Sequence, residues 1–115
     1  MKRRWIARWV ALWVALFTAV ASADEILIFG MAGCRPCAKL TALLERHPEL
    51  LKDYKVSHID LVEQAETAQL FAVKIAPTIV RLDDKSRERG RFTGAPVSKR
   101  QLERWLADPD VPPAE

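Results

Sequence analysis

Two cysteines and two histidines are all that this 115-residue chain holds of either type. Two cysteines cannot form the multi-bridge framework that staples small secreted domains. The histidines, His47 and His58, are spaced too widely after the cysteine pair to complete a zinc site, which pairs its ligands closely. Long apolar runs are missing as well. The longest, Trp9 to Ala21, would measure about 20 Å as a helix, short of the ~30 Å hydrocarbon core of a bilayer. No internal repeat or low-complexity segment occurs, so solenoid and disordered architectures are set aside.

The net charge of +3 is misleading. Lys2, Arg3, Arg4 and Arg8 form an acid-free basic head before the apolar run, and Ala21-Ser22-Ala23 closes it with small residues at the cleavage spacing. Residues 1–23 therefore read as an export signal, with an uncleaved membrane anchor as the alternative. Without them, 14 of the 18 basic residues face all 15 acidic ones, and no nucleic-acid partner is expected. The remaining 92 residues suffice for one domain, taken as 24–107, with 108–115 as a loose proline-rich tail. The expected setting is outside the cytoplasm, the bacterial periplasm being the leading choice.

Hydrophobic patterning predicts an alternating order of elements. Glu25 to Phe29 is apolar throughout, as expected of a strand covered on both faces. A helix should open near Arg35, with Pro36 in its first turn, and close near His47 before Pro48. Tyr54 to Asp60 reads as a second strand. Asp60 then looks like the N-cap of a second helix carrying Leu61, Ala65, Ala68 and Ala72. Thr78 to Leu82 and Arg89 to Thr93 form a hairpin around Asp83–Arg87, and Ser98 with Gln101 caps a final helix burying Leu102, Trp105 and Leu106. The order is β-α-β-α-β-β-α: a mixed four-stranded α/β sheet flanked by helices, its first two strands parallel and its last two antiparallel.

The chemistry lies in Cys34-Arg35-Pro36-Cys37, at a strand-to-helix turn. Two thiols three positions apart close a very small loop, which constrains the unfolded chain little, so a purely structural disulfide is the weaker explanation. A thiolate at a helix N-terminus is stabilised by unpaired N–H groups and the helix dipole. Cys34, with the Arg35 cation beside it, is the expected exposed nucleophile. Cys37, one turn in, is the expected buried resolving thiol, and Pro36 stiffens the turn between them.

In order and spacing, Cys34-x-Pro36-Cys37, Ala76-Pro77-Thr78 and the ending Gly94-Ala95-Pro96-Val97-Ser98-Lys99-Arg100-Gln101-Leu102 resemble the thioredoxin superfamily. The resemblance spans roughly Glu25 to Leu106. It implies a cis Pro77 packed on the cysteine pair, an Ala76 backbone that pairs with substrate peptide, and Gly94 lining the same groove. Two positions depart from the pattern: Gly33 stands where thioredoxins carry tryptophan, and Ile28 where they bury an aspartate.

The expected function is thus thiol–disulfide exchange with exported proteins that carry disulfides or dithiols, a membrane redox partner being open. The protein is expected to act as a monomer, without metal or organic cofactor, because the cysteine pair is itself the redox group. A non-catalytic binding module and a glutathione-dependent, glutaredoxin-type reductase are the competing possibilities.

Overall fold

The computed structural model describes residues 24–96 and 98–109. The predicted signal (1–23), Val97 and the end of the predicted tail (110–115) lie outside the described residues.

The first strand, β1 (Glu25–Gly30), is buried from Ile26 to Phe29 because it has a neighbour on each side and a layer on each face. It pairs in parallel with β2 (Lys55–Asp60) and antiparallel with β3 (Thr78–Leu82), which in turn pairs antiparallel with β4 (Glu88–Thr93). The sheet order is β2-β1-β3-β4. The expected mixed four-stranded sheet is what forms.

Alternation along β1 divides the core. Ile26 and Ile28 join Leu40 and Leu43 of α1 (Arg35–Arg46) and Leu102, Trp105 and Leu106 of α3 (Lys99–Ala107) on one face. Leu27 and Phe29 meet Ile59, Ala68 and Val73 on the other. Trp105 is buried and meets Phe92 edge-on, their centroids 6.0 Å apart. The helix caps follow the sequence. Cys34 stands in extended backbone before α1, Pro36 occupies the first turn, and the Ser98 hydroxyl accepts the Gln101 N–H at 3.2 Å.

The second helix differs from expectation. Asp60 does cap: its Oδ1 accepts the N–H groups of Val62 at 2.8 Å and Glu63 at 2.9 Å, while Gln64 Oε1 accepts the Asp60 N–H. These bonds hold a turn rather than a helix, and α2 spans only Ala65–Leu70. Ala72, expected within it, adopts a left-handed backbone (φ 53°) that ends the helical path. Leu44, expected in the core, is only partly buried at its edge.

Two side chains clamp the ends of the sheet. Arg81 donates to Asp24 Oδ2 from Nε at 3.0 Å and from Nη2 at 2.9 Å, reaches the Leu106 carbonyl at the end of α3, and lies over the Tyr54 ring at 5.2 Å. Asp83 shapes the β3–β4 turn by accepting the N–H groups of Lys85 and Arg87, each at 2.9 Å. The first two residues of the predicted tail, Asp108 and Pro109, continue past α3, and the Pro109 carbonyl occupies the space a β-carbon at Gly90 would take.

Candidate active site

Gly30 ends β1, and the chain turns through Met31, Ala32 and Gly33 before entering α1. Gly33 has φ +73°, a conformation that a tryptophan at this position would adopt only under strain. The turn therefore suits the glycine that the sequence supplies there.

Cys34 is the N-cap of α1 and Cys37 lies in its first turn, their Cα atoms 5.2 Å apart and their sulfurs joined in a disulfide. Cys34 Sγ accepts the Cys37 backbone N–H at 3.1 Å, so the first sulfur occupies the position of a capping oxygen. The same unpaired N–H groups would face a thiolate after reduction. Arg35 and Pro36 are exposed on the turn between the sulfurs.

Cys37 was expected to be buried behind an exposed Cys34. Instead both cysteines are half-buried. A cleft of about 390 Å³ opens beside Cys37, lined by Ile28, Gly30, Met31, His58, Asp60 and Pro77 among others. Gly30 forms its floor, and a β-carbon there would lie 3.6 Å from Cys37 Sγ. With no side chain at the strand end, Gly30 leaves this side of the second sulfur open to the cleft.

The other residues singled out in the sequence converge on the same end of the sheet. The Ala76–Pro77 peptide bond is cis, as the resemblance implied, and Pro77 is buried where it lines the cleft with Cys37. Thr78 Oγ1 donates to the Ile75 carbonyl at 2.6 Å, tying the loop to the start of β3. Gly94, at φ +91°, donates its N–H to the Pro77 carbonyl at 2.8 Å and so joins the ending after β4 to the proline. Ala76, half-buried, sits between the exposed Ile75 and Pro77 at the rim. On the far flank of α1, a second groove runs between Pro36, Lys39, Leu43 and Arg46 and the Ala95-Pro96 segment.

Among the cleft residues given no part in thiol chemistry by the sequence are His58, Asp60, Glu63 and Gln64. Spacing along the chain did not mark them; it is the register of the parallel pairing that sets His58 beside Ile28 and Asp60 beside Gly30. Among the described residues, no group of three or more His, Cys, Asp or Glu side chains is placed to hold a metal. No helix among them is long and apolar enough to cross a membrane.

A disulfide-forming Cys-x-x-Cys pair at the start of a helix, facing a cis-proline loop on a mixed four-stranded sheet, defines a protein of thioredoxin fold with a cysteine pair chemically capable of thiol–disulfide exchange. The thioredoxin family model matches residues 15–108, and the chain belongs to that family. Among solved structures it is similar to a thioredoxin of Nicotiana alata, with 24% identity and a TM-score of 0.66 over 84% of each chain. It is also similar to Fasciola hepatica thioredoxin, with 22% identity and a TM-score of 0.61 over 85% of this chain and 88% of that one. A thioredoxin-fold protein from Helicobacter pylori gives 20% identity and a TM-score of 0.65, covering 74% of this chain and 69% of that one. At such identities these structures speak for the fold. No curated protein matches the chain.

Proposed function

We propose that this chain is an exported thiol–disulfide oxidoreductase that exchanges disulfides with partner proteins through Cys34 and Cys37. The observation carrying this reading is the bonded cysteine pair at the N-terminus of α1, open on one side to the cleft that Pro77 lines. In the reduced protein, the Cys34 thiolate attacks one sulfur of a partner disulfide. A Cys34–partner bond forms, and the other partner sulfur leaves as a thiolate that takes up a proton. Cys37 then loses its proton and attacks Cys34 Sγ. The mixed disulfide breaks, the partner leaves as a dithiol, and the Cys34–Cys37 disulfide is restored. Two electrons pass from the cysteine pair to the partner, and the reverse sequence would oxidise a partner dithiol.

The Ala76 backbone would receive partner polypeptide as an added strand, with Gly94 beside it, where the lack of a side chain permits close approach. Arg35 tunes the thiolate and Pro36 holds the turn. The export signal read in residues 1–23 supports a periplasmic setting, with partners among exported proteins and the protein acting as a monomer.

Cys37→Ser should leave Cys34 able to capture a partner but unable to release it. Covalent adducts should then accumulate and identify partners by mass spectrometry, and Cys34→Ala should abolish both capture and turnover. Turnover by Cys34→Ala at the wild-type rate would overturn the assignment. Partner binding that survives replacement of both cysteines, without dithiol turnover, would favour a binding module instead.

A further inference from the structure

Resolution of the mixed disulfide requires Cys37 to lose a proton, and a thiol at neutral pH is mostly protonated. The side chain at position 28, which lines the same cleft as Cys37, is the hydrocarbon of a buried isoleucine. The structure nonetheless gathers titratable groups on the cleft that the second sulfur lines. Cys37 Sγ stands over Gly30. The neighbouring strand β2, one inter-strand spacing of ~4.8 Å away, sets Asp60 beside Gly30 and His58 beside Ile28. Paired residues share a face of the sheet, and Ile28 packs on the side that α1 covers, so His58 is on that side too. His58, Asp60, Glu63 and Cys37 all line the one cleft.

The charged and titratable groups around His58 are few. On β2 there is Asp60, whose Oδ1 is occupied by the Val62 and Glu63 amides, and the following loop contributes Glu63. Residues 28–30 of β1, which line the cleft, carry no charge. From α1 come Cys37 itself and the uncharged Thr41, whose hydroxyl donates to the Cys37 carbonyl, with Glu45 one turn beyond. A carboxylate is a weak base at neutral pH, whereas an imidazole ordinarily changes charge between pH 5 and 8. His58 is also exposed on an edge strand, so a proton it accepts passes directly to solvent.

We propose that His58 is the proton acceptor for Cys37, which rests on the oxidoreductase reading of the site. In the mixed-disulfide state the neutral imidazole takes the Cys37 S–H proton, and the resulting thiolate attacks Cys34 Sγ and expels the partner thiolate. The imidazolium then releases its proton to water. In the reverse direction the imidazolium returns a proton to Cys37 as it leaves.

The test separates capture from resolution in single turnovers with a disulfide-linked fluorescent peptide. Capture is read in the Cys37→Ser background and resolution with the pair intact. In His58→Ala and His58→Gln, capture should keep its wild-type rate. Resolution at pH 7 should slow roughly 10-fold or more, less than the roughly 10²–10⁴-fold typical of general bases because the group is open to solvent. In both variants resolution should keep rising steeply with pH, as expected when the Cys37 thiol must ionise unaided, whereas the wild-type rate should fall less steeply as pH is lowered from about 8 to neutral. Added imidazole should restore resolution in His58→Ala, a readout that loss of packing would not produce. The proposal is overturned if His58→Ala resolves within about 2-fold of wild type from pH 5.5 to 8, or if imidazole gives no rescue. It is overturned equally if Asp60→Asn slows resolution while His58→Gln does not. Absence of capture by Cys37→Ser would strike at the oxidoreductase reading itself, and the role of His58 would fall with it.

Discussion

Reversing the charge at position 35 should make the cysteine pair a weaker oxidant. Arg35 is exposed in the first turn of α1, next in sequence to the capping sulfur of Cys34. A solvated charge beside a helix terminus is worth about 0.3–1 kcal/mol, so exchanging a cation for an anion should cost the Cys34 thiolate roughly 0.5–1.5 kcal/mol. At 1.36 kcal/mol per pH unit, the alkylation midpoint of Cys34 in Arg35→Glu should rise by roughly 0.4–1 pH unit. The thiolate exists only in the reduced protein, so destabilising it raises the free energy of that state alone. With about 1.4 kcal/mol corresponding to 30 mV for two electrons, the reduction potential should fall by roughly 10–30 mV. Equilibration with glutathione redox buffers at pH 8 measures this shift directly. It should shrink in 1 M salt, where the Debye length is only about 3 Å. An unchanged or raised potential would refute the claim that a thiolate at this helix start is the species being tuned.

Further tests concern the scaffold. Arg81→Ala removes a half-buried fork on Asp24 together with a donor to the end of α3, and should lower unfolding stability by about 1–3 kcal/mol in urea titrations. Arg81→Lys should recover only part of that, because an ammonium cannot reproduce the planar fork; a loss below about 0.5 kcal/mol for Ala would mean that the clamp is incidental. Trp105→Ala empties the centre of the α1–α3 face and should cost about 3–5 kcal/mol, and a loss under about 1 kcal/mol would contradict the packing described. Stability should also decline at both extremes of pH. Asp83 is held below its ordinary 3.8 chiefly by the Arg87 backbone N–H, and Glu49 below 4.5 chiefly by its own backbone N–H and then by Lys99. Their contributions are complete above those ordinary values and disappear as pH falls through the lowered ones. Lys99 is held above 10.5 chiefly by its bond to Glu49, so its contribution is complete below that value and disappears as pH rises past it. Thermal melts should therefore be insensitive to these three groups between about pH 5 and 10. Lys99→Met should flatten the alkaline limb, and an undiminished limb would count against the pairing.

Most of the fold was legible because its signals are local. The apolar run ending at Phe29, the proline opening α1, the hairpin turn at Asp83 and the Ser98 cap each specify backbone geometry within a few residues. The overextended second helix shows where this fails. Asp60 satisfies the requirements of a helix cap and of a tight turn alike, and only the left-handed backbone at Ala72 reveals where the helix stops. At the site, the cysteine pair, Pro77 and Gly94 were visible as motifs, and the structure brings them to one end of the sheet. His58 was read as a strand residue because its proximity to Cys37 depends on register across two strands, which spacing along the chain does not encode. The half-exposure of Cys37 was missed for a similar reason: it follows from the cleft above Gly30, a feature of packing between elements.

The most direct measurement is the rate of alkylation of Cys34 in the reduced protein as a function of pH, resolved from Cys37 by peptide mass spectrometry. A reactive sulfur held by the N–H groups at the start of α1 should alkylate with a midpoint clearly below the ordinary thiol value of about 8.5, and faster than Cys37 at neutral pH. A midpoint at or above that value, with Cys34 no faster than Cys37, would contradict the assignment of Cys34 as the attacking thiolate.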